Sequence, residues 1–171
     1  MTDGLVLRPG AGRRIQGASM TLKVGDGESQ VWSAFEAEVM PGFDVGAHLH
    51  RTAEELFYLL HGELDLLAFE PQVRTAGDWQ SWTGSDGRTI VRGGPGCTMF
   101  VPAGCPHAFA NPGSATARML FLVSPPGHEH YLAKIGELIG QGGPPDPAAI
   151  AGIRARHDIE QLTPMLAGPR R

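Results

Sequence analysis

Cysteine is scarce. Only Cys97 and Cys105 occur in 171 residues, too few for a disulfide framework and at no spacing that metal sites use, so both read as small packing residues. Apolar runs long enough to cross a bilayer are missing, and the stretch MTDGLVLRPGAGRR shows no hydrophobic segment behind a basic start. Neither a signal peptide nor membrane contact is expected, and the cytoplasm is the expected compartment. Basic charge is in deficit, with 14 Lys and Arg against 18 Asp and Glu and a formal net charge of −4. That leaves no positive field for a phosphate backbone, so nucleic acid is not an expected partner. No internal repeat is visible, and Arg170-Arg171 reads as a solvated tail.

What the chain has in quantity is turn-forming residues and a core. Its 24 glycines and 14 prolines are spread along the sequence, and 42% of residues are hydrophobic, the balance of a globular protein built from many short strands. The length suits one domain over 1–171. Strand-type runs are predicted at Ser19 to Val24 and Gln30 to Met40, where Val31, Ser33, Phe35, Ala37 and Val39 alternate with Trp32, Glu36 and Glu38. Others follow at Ala47 to His50, Glu55 to Leu60, Glu63 to Phe69, Arg88 to Val91, Cys97 to Val101, His107 to Ala110 and Ala117 to Ser124. The first half reads as an antiparallel meander, with Gly62 as a tight turn. The segment EPQVRTAGDWQSWTGSDG is longer than a hairpin loop and forms an excursion.

After Pro125-Pro126-Gly127 the period changes to helical. Tyr131, Leu132, Ile135, Leu138 and Ile139 recur on one face, and Pro147 to Arg156 gives a second helix with Ile150 and Ile153. The fold class is therefore all-β with two short carboxy-terminal α-helices outside a barrel of about 15–124, the helical segment covering about 128–160.

The chemistry concentrates in four residues. His48 and His50 are two apart, a spacing that on a strand sends both imidazoles to one face. Glu55 begins the next strand and brings a carboxylate within reach of that face. His107 follows the Pro102-Ala103-Gly104 turn, which can aim the next strand inward. Three imidazoles and one carboxylate suit one divalent transition ion: iron, manganese, nickel, cobalt or copper, with zinc also admissible.

These residues carry a family resemblance. GFDVGAHLHRTAEELFYLLHG, Gly42 to Gly62, resembles the first cupin motif at Gly42, His48, His50, Glu55 and Gly62. GCTMFVPAGCPHAFAN, Gly96 to Asn111, resembles the second at Gly96, Pro102, Gly104, His107 and Asn111. The resemblance implies a cupin fold, a double-stranded β-helix or jelly-roll barrel, with His48, His50, Glu55 and His107 as metal ligands and a homodimer as the usual state. Glu54 competes with Glu55, because the family tolerates either spacing. Glu55 is preferred because it keeps the family's distance to Gly62 and shares strand parity with Phe57 and Leu59.

Phe35, Phe57, Leu59, Met99 and Phe109, with Val101, fall on inward parity, where they fill the barrel and the first five are expected to form an apolar substrate pocket beside the metal. His61 is expected to face solvent at the rim. His128 and His130 are expected to form a surface pair, since residues two apart on a helix diverge. Trp79 and Trp82 serve either to anchor the excursion or to close over substrate, and Asn111 either supports the metal ligands or holds a turn.

The layout further resembles small bacterial monocupins similar to quercetin 2,3-dioxygenase. That implies a dioxygenase-like oxidoreductase acting on a small, partly apolar enol or phenol, with Glu55 also serving as catalytic base. The alternatives are a non-redox isomerase, cyclase or lyase using the ion as Lewis acid, and a small-molecule-binding cupin without catalysis. A helix-turn-helix regulator is disfavoured, because too few residues precede the barrel.

Overall fold

Strand-forming residues dominate as far as Ser124, and a computed structural model, which describes residues 3–140 and 146–166, arranges them in two facing antiparallel sheets. The strands are β1 (Arg13–Ile15), β2 (Met20–Val24), β3 (Ser33–Val39), β4 (His48–Leu49), β5 (Glu54–His61), β6 (Leu64–Ala68), β7 (Val91–Gly93), β8 (Thr98–Val101), β9 (His107–Ala110), β10 (Ala117–Ser124) and β11 (Glu160–Gln161). Helices α1 (His128–Gly140) and α2 (Pro147–Arg156) separate β10 from β11. One sheet has the order β1-β2-β3-β10-β5-β8 and the other β11-β4-β9-β6-β7. This is the all-β jelly-roll with two carboxy-terminal helices. The side chain of Ile139 and the Arg170-Arg171 tail lie outside the described residues.

The meander holds only for β1, β2 and β3. From there the chain alternates between sheets: β5 pairs with β10 and β8, whereas β6 pairs with β7 and β9. Gly62 does turn the chain between β5 and β6, but the turn hands it from one sheet to the other. A left-handed φ of +75° and an Ala117 backbone 2.8 Å from where a Cβ would sit require glycine there.

Alternation decides what each face buries. Phe35, Ala37 and Val39 of β3, Phe57 and Leu59 of β5, Met99 and Val101 of β8, and Met119, Phe121 and Val123 of β10 share one core with Leu64, Leu66 and Phe109 of the facing sheet. Phe121 stacks between Phe57, at 4.9 Å and 8°, and Phe35, at 5.3 Å and 22°. Such pairs add about 0.5–1.5 kcal/mol each beyond area burial.

The second sheet buries its other face too. Leu67, Ala108 and Ala110 pack under Phe69 and under Trp79 and Trp82 of the excursion. The indole of Trp79 donates to the buried carboxylate of Asp44 at 2.9 and 3.0 Å, and that of Trp82 donates to Thr75 at 2.8 Å. Both tryptophans therefore anchor the excursion to the outside of the barrel. Asn111 holds a turn, donating to the Val39 and Ala115 carbonyls and accepting from Gly113 N. Among the described residues no helix is long and apolar enough to cross a membrane.

Candidate metal centre

Three strands bring four ligand-type side chains together. β4 carries His48, and His50 follows directly after it. β5 contributes Glu55 and β9 contributes His107, with His48 paired in register to His107. One ligand-type atom from each of the four lies within 4.8 Å of the others. His50, Glu55 and His107 are buried, at 3%, 3% and 0% exposure, while His48 is half-buried. Glu54 is exposed, so strand parity selects Glu55, as the alternation along β5 predicts.

Hydrogen bonds set the tautomers. His48 Nδ1 meets the Gly46 carbonyl at 2.9 Å, His50 Nδ1 the Asp158 carbonyl at 3.0 Å, and His107 Nδ1 the Cys105 carbonyl at 3.1 Å. A carbonyl only accepts, so each Nδ1 must carry the proton, which leaves Nε2 of each neutral ring with a free lone pair. Carbonyl partners of this kind are what metal-ligating histidines require.

Those lone pairs have no protein acceptor role to fill. Among the described residues His50 Nε2, His107 Nε2 and Glu55 Oε2 are buried without a hydrogen-bond partner, although His107 Nε2 stands 2.8 Å from Glu55 Oε2 and His50 Nε2 3.2 Å from Glu55 Oε1. The atoms crowd together without donor-acceptor alignment. Orphaned polar atoms are expensive to bury, and a shared cation satisfies all of them at once. The donor set thus fits a single divalent ion.

Electrostatics favour an ionised Glu55 and a neutral His48. Burial would raise the Glu55 carboxyl, but His107 and His50 outweigh it and hold it well below the usual carboxylate range. Burial also lowers His48 far below the ordinary imidazole value, reinforced by His107. Burial pulls His50 down, but its contact with Glu55 prevails and raises it.

Three further participants are missed or misplaced by sequence reasoning. Asp158 has a left-handed φ of 56°, unusual for a residue with a Cβ, and its carboxylate accepts from Thr52 N at 2.8 Å and Thr52 Oγ1 at 2.7 Å. Its carbonyl is the one that orients His50. β11 is the second, pairing with β4 while Thr163 Oγ1 accepts from Ala47 N at 2.7 Å, so the carboxy-terminal segment clamps the two-residue strand that bears His48. The third is His128.

His128 and His130 do diverge, as their spacing predicts, but they are not a surface pair. His130 is exposed and meets Asp26 at 2.7 Å. His128 turns inward, its ring 5.8 Å from His50, 5.5 Å from Phe121 and 5.3 Å from Tyr131. Burial lowers its pKa to about 4, so the ring is neutral near pH 7. Glu129 between them is buried and accepts from Ser33 Oγ at 2.7 Å and Asp26 N at 2.7 Å, fixing the start of α1. His61 is exposed at the end of β5, as expected.

A cavity of about 240 Å³ opens beside His48. Its walls come from the β1–β2 turn, β3, α1 and the end of α2, with Val39, Phe43, His128, Tyr131, Leu132 and Ile135 among them. None of Phe35, Phe57, Leu59, Met99 and Phe109 lines it; all five are packed in the core. Inward parity places these side chains inside the barrel, where they pack in its core, and the ring of Phe57 lies 6.3 Å from that of His107. The space lies nearer the helices, which form a wall instead of packing apart from the site.

A family model described as cupin matches residues 15–137. Among solved structures the chain is similar to a protein of Thermus thermophilus, at 21% identity and a TM-score of 0.46 over 66% of this chain and 89% of that one. It is also similar to a DMSP lyase of Ruegeria pomeroyi, at 24% identity and a TM-score of 0.46 over 63% of this chain and 46% of the lyase. A third likeness is to a double-stranded β-helix protein of Klebsiella pneumoniae, at 13% identity and a TM-score of 0.48 over 71% and 84% of the two chains. No curated protein matches the sequence significantly. At this distance the likenesses say nothing about chemistry.

Proposed function

The chain belongs to the cupin family, and from that premise we propose that it is a metal-dependent, dioxygenase-like enzyme acting on a small, partly apolar enol or phenol. One observation carries this reading: a three-histidine, one-carboxylate cluster with unpartnered buried ligand atoms borders, through His48, a chiefly apolar cavity. The cavity is smaller than the ~300–1,000 Å³ of sites for drug-sized ligands, which suits a substrate of one ring.

A bound divalent transition ion would supply a Lewis-acidic centre for an oxygen-donor substrate and the redox capacity for its reaction with dioxygen. The protein's part is positioning and proton transfer. Val39, Phe43, Leu132 and Ile135 exclude water from the apolar body of the substrate. Glu55, ionised in its buried setting, accepts the enol or phenol proton, and neutral His128 stands at the cavity wall as a hydrogen-bond partner for the substrate oxygen.

The test is oxygen uptake. Protein loaded with iron, manganese, nickel, cobalt or copper is expected to consume dioxygen only when a single-ring enol or phenol is added, and zinc-loaded protein is expected to be inactive because zinc has no redox chemistry. Full turnover of such a substrate without oxygen, or with zinc, would instead establish a non-redox isomerase, cyclase or lyase. Saturable binding without turnover under any metal would establish a binding cupin.

A further inference from the structure

The cavity beside His48 has a polar feature that the metal cluster does not explain. Arg154, in the last turn of α2, lines this space, and its Nε is buried with no hydrogen-bond partner among the described residues. Arginine cannot shed its charge to escape such a setting, and a buried unpaired N–H on a cation is costly. Among the described residues no carboxylate lies within ion-pair distance of the guanidinium. Glu38, the acidic residue along the cavity, is exposed at its rim. Gln161, another polar neighbour, already spends its amide on the carbonyls of Val45, Ala47 and Thr163.

We propose that the cavity recognises a small organic monoanion, an aryl or alkyl carboxylate whose charged group pairs with Arg154 while its apolar body lies along Val39, Phe43, Leu132 and Ile135 toward His48. The occupant's role as substrate rests on the enzymatic reading above, whereas its binding does not. A guanidinium presents a planar fork that matches a carboxylate in two parallel hydrogen bonds. One cation balances one negative charge, and Glu38 at the rim opposes a second, so a carboxylate is favoured over a phosphate dianion. Apolar walls with a single charged partner suit a ligand with one polar end.

The experiment is calorimetric titration of the zinc-loaded full-length protein with benzoate, phenylacetate and phenylpyruvate, set against benzamide, phenylacetamide and phenylacetone. Zinc prevents redox turnover, so binding is read alone. At least one carboxylate is expected to bind about tenfold or more tightly than its neutral counterpart. Arg154→Met and Arg154→Gln should both remove that preference, and Arg154→Lys should keep part of it, with zinc content and melting temperature near wild type. Two neutral variants guard against a folding defect in one. A carboxylate preference that survives in the folded neutral variants would mean that the metal captures the anion and would overturn the proposal. So would equal binding of acids and neutral counterparts by wild type, or no binding of any acid. Loss of oxygen uptake alongside an intact, Arg154-dependent preference would overturn the enzymatic reading alone.

Discussion

Replacing Gly136 by alanine tests whether α1 is a fixed wall of the cavity. Gly136 and Gly17 meet backbone to backbone where α1 crosses the β1–β2 turn, and a Cβ on Gly136 would lie 1.7 Å from the Gln16 carbonyl oxygen. Ordinary contact needs roughly 1.5 Å more, and no side-chain rotation can provide it because the obstacle is main chain. Overpacking costs about 1–3 kcal/mol, and a backbone obstacle belongs at the upper end. Alanine's better helix propensity returns about 1 kcal/mol. The net destabilisation is about 2 kcal/mol, or ~4–8 °C in Tm for a chain of this size.

The shift should leave metal content unchanged, because all four ligands sit on or beside strands, and it should weaken ligand binding, because α1 carries His128, Tyr131, Leu132 and Ile135. Thermal circular dichroism with metal analysis reads both. An unchanged or raised Tm would show that α1 is not held against the β1–β2 turn.

Three further outcomes follow from the site. Glu55→Gln is expected to lower metal affinity while Glu54→Gln, altering an exposed carboxylate, does not; the reverse in metal titrations would overturn the ligand assignment. Asp158→Ala should loosen metal binding by about tenfold or more, since it strains a left-handed residue and frees Thr52 while keeping β-sheet content, and an unaltered affinity would remove Asp158 from any positioning role. Glu129 supplies the pH dependence. Burial pushes its carboxyl up, but the Ser33 hydroxyl and Asp26 amide outweigh this and hold it below its ordinary value, so its contribution is complete above the unfolded carboxyl's pKa and is lost as pH falls through the lower, folded one. The stability gap between wild type and Glu129→Gln, read by chemical denaturation, should therefore be about 1.5–3 kcal/mol at pH 7 and shrink below the usual glutamate range, and a gap that does not change with pH would contradict it.

What was legible in the sequence was whatever depends on local period. His48 and His50 two apart, Glu55 in phase with Phe57, and the alternation of β3 from Ser33 to Val39 reach the structure intact, because strand parity alone decides which way they point, whereas Val31 lies outside the strand and is exposed. α2 is read to the residue from Pro147 and from Ile150 and Ile153 at helical spacing. β11 and β1 escape notice because two or three residues, polar or basic, make no pattern, and they exist only through pairing with β4 and β2. His128 shows the limit of a spacing rule: it separates His128 from His130 correctly, yet which of them turns inward is settled by Glu129, whose anchor to Ser33 and Asp26 orients α1. The walls of the cavity beside His48 escape notice for a related reason. Parity identifies the inside of a barrel and does not distinguish its packed centre from a space walled by a distant turn and two helices.

The cluster of His48, His50, Glu55 and His107 fits one divalent ion. Metal analysis of the protein purified without added metal, alongside His48→Ala, His50→Ala and His107→Ala, tests it most directly. About one transition-metal ion per wild-type chain is expected, falling sharply in each variant while the β-sheet spectrum persists, because each substitution removes a ligand without emptying the core. Wild-type protein that neither retains nor takes up a divalent ion, or variants that bind it as tightly as wild type, would contradict the account.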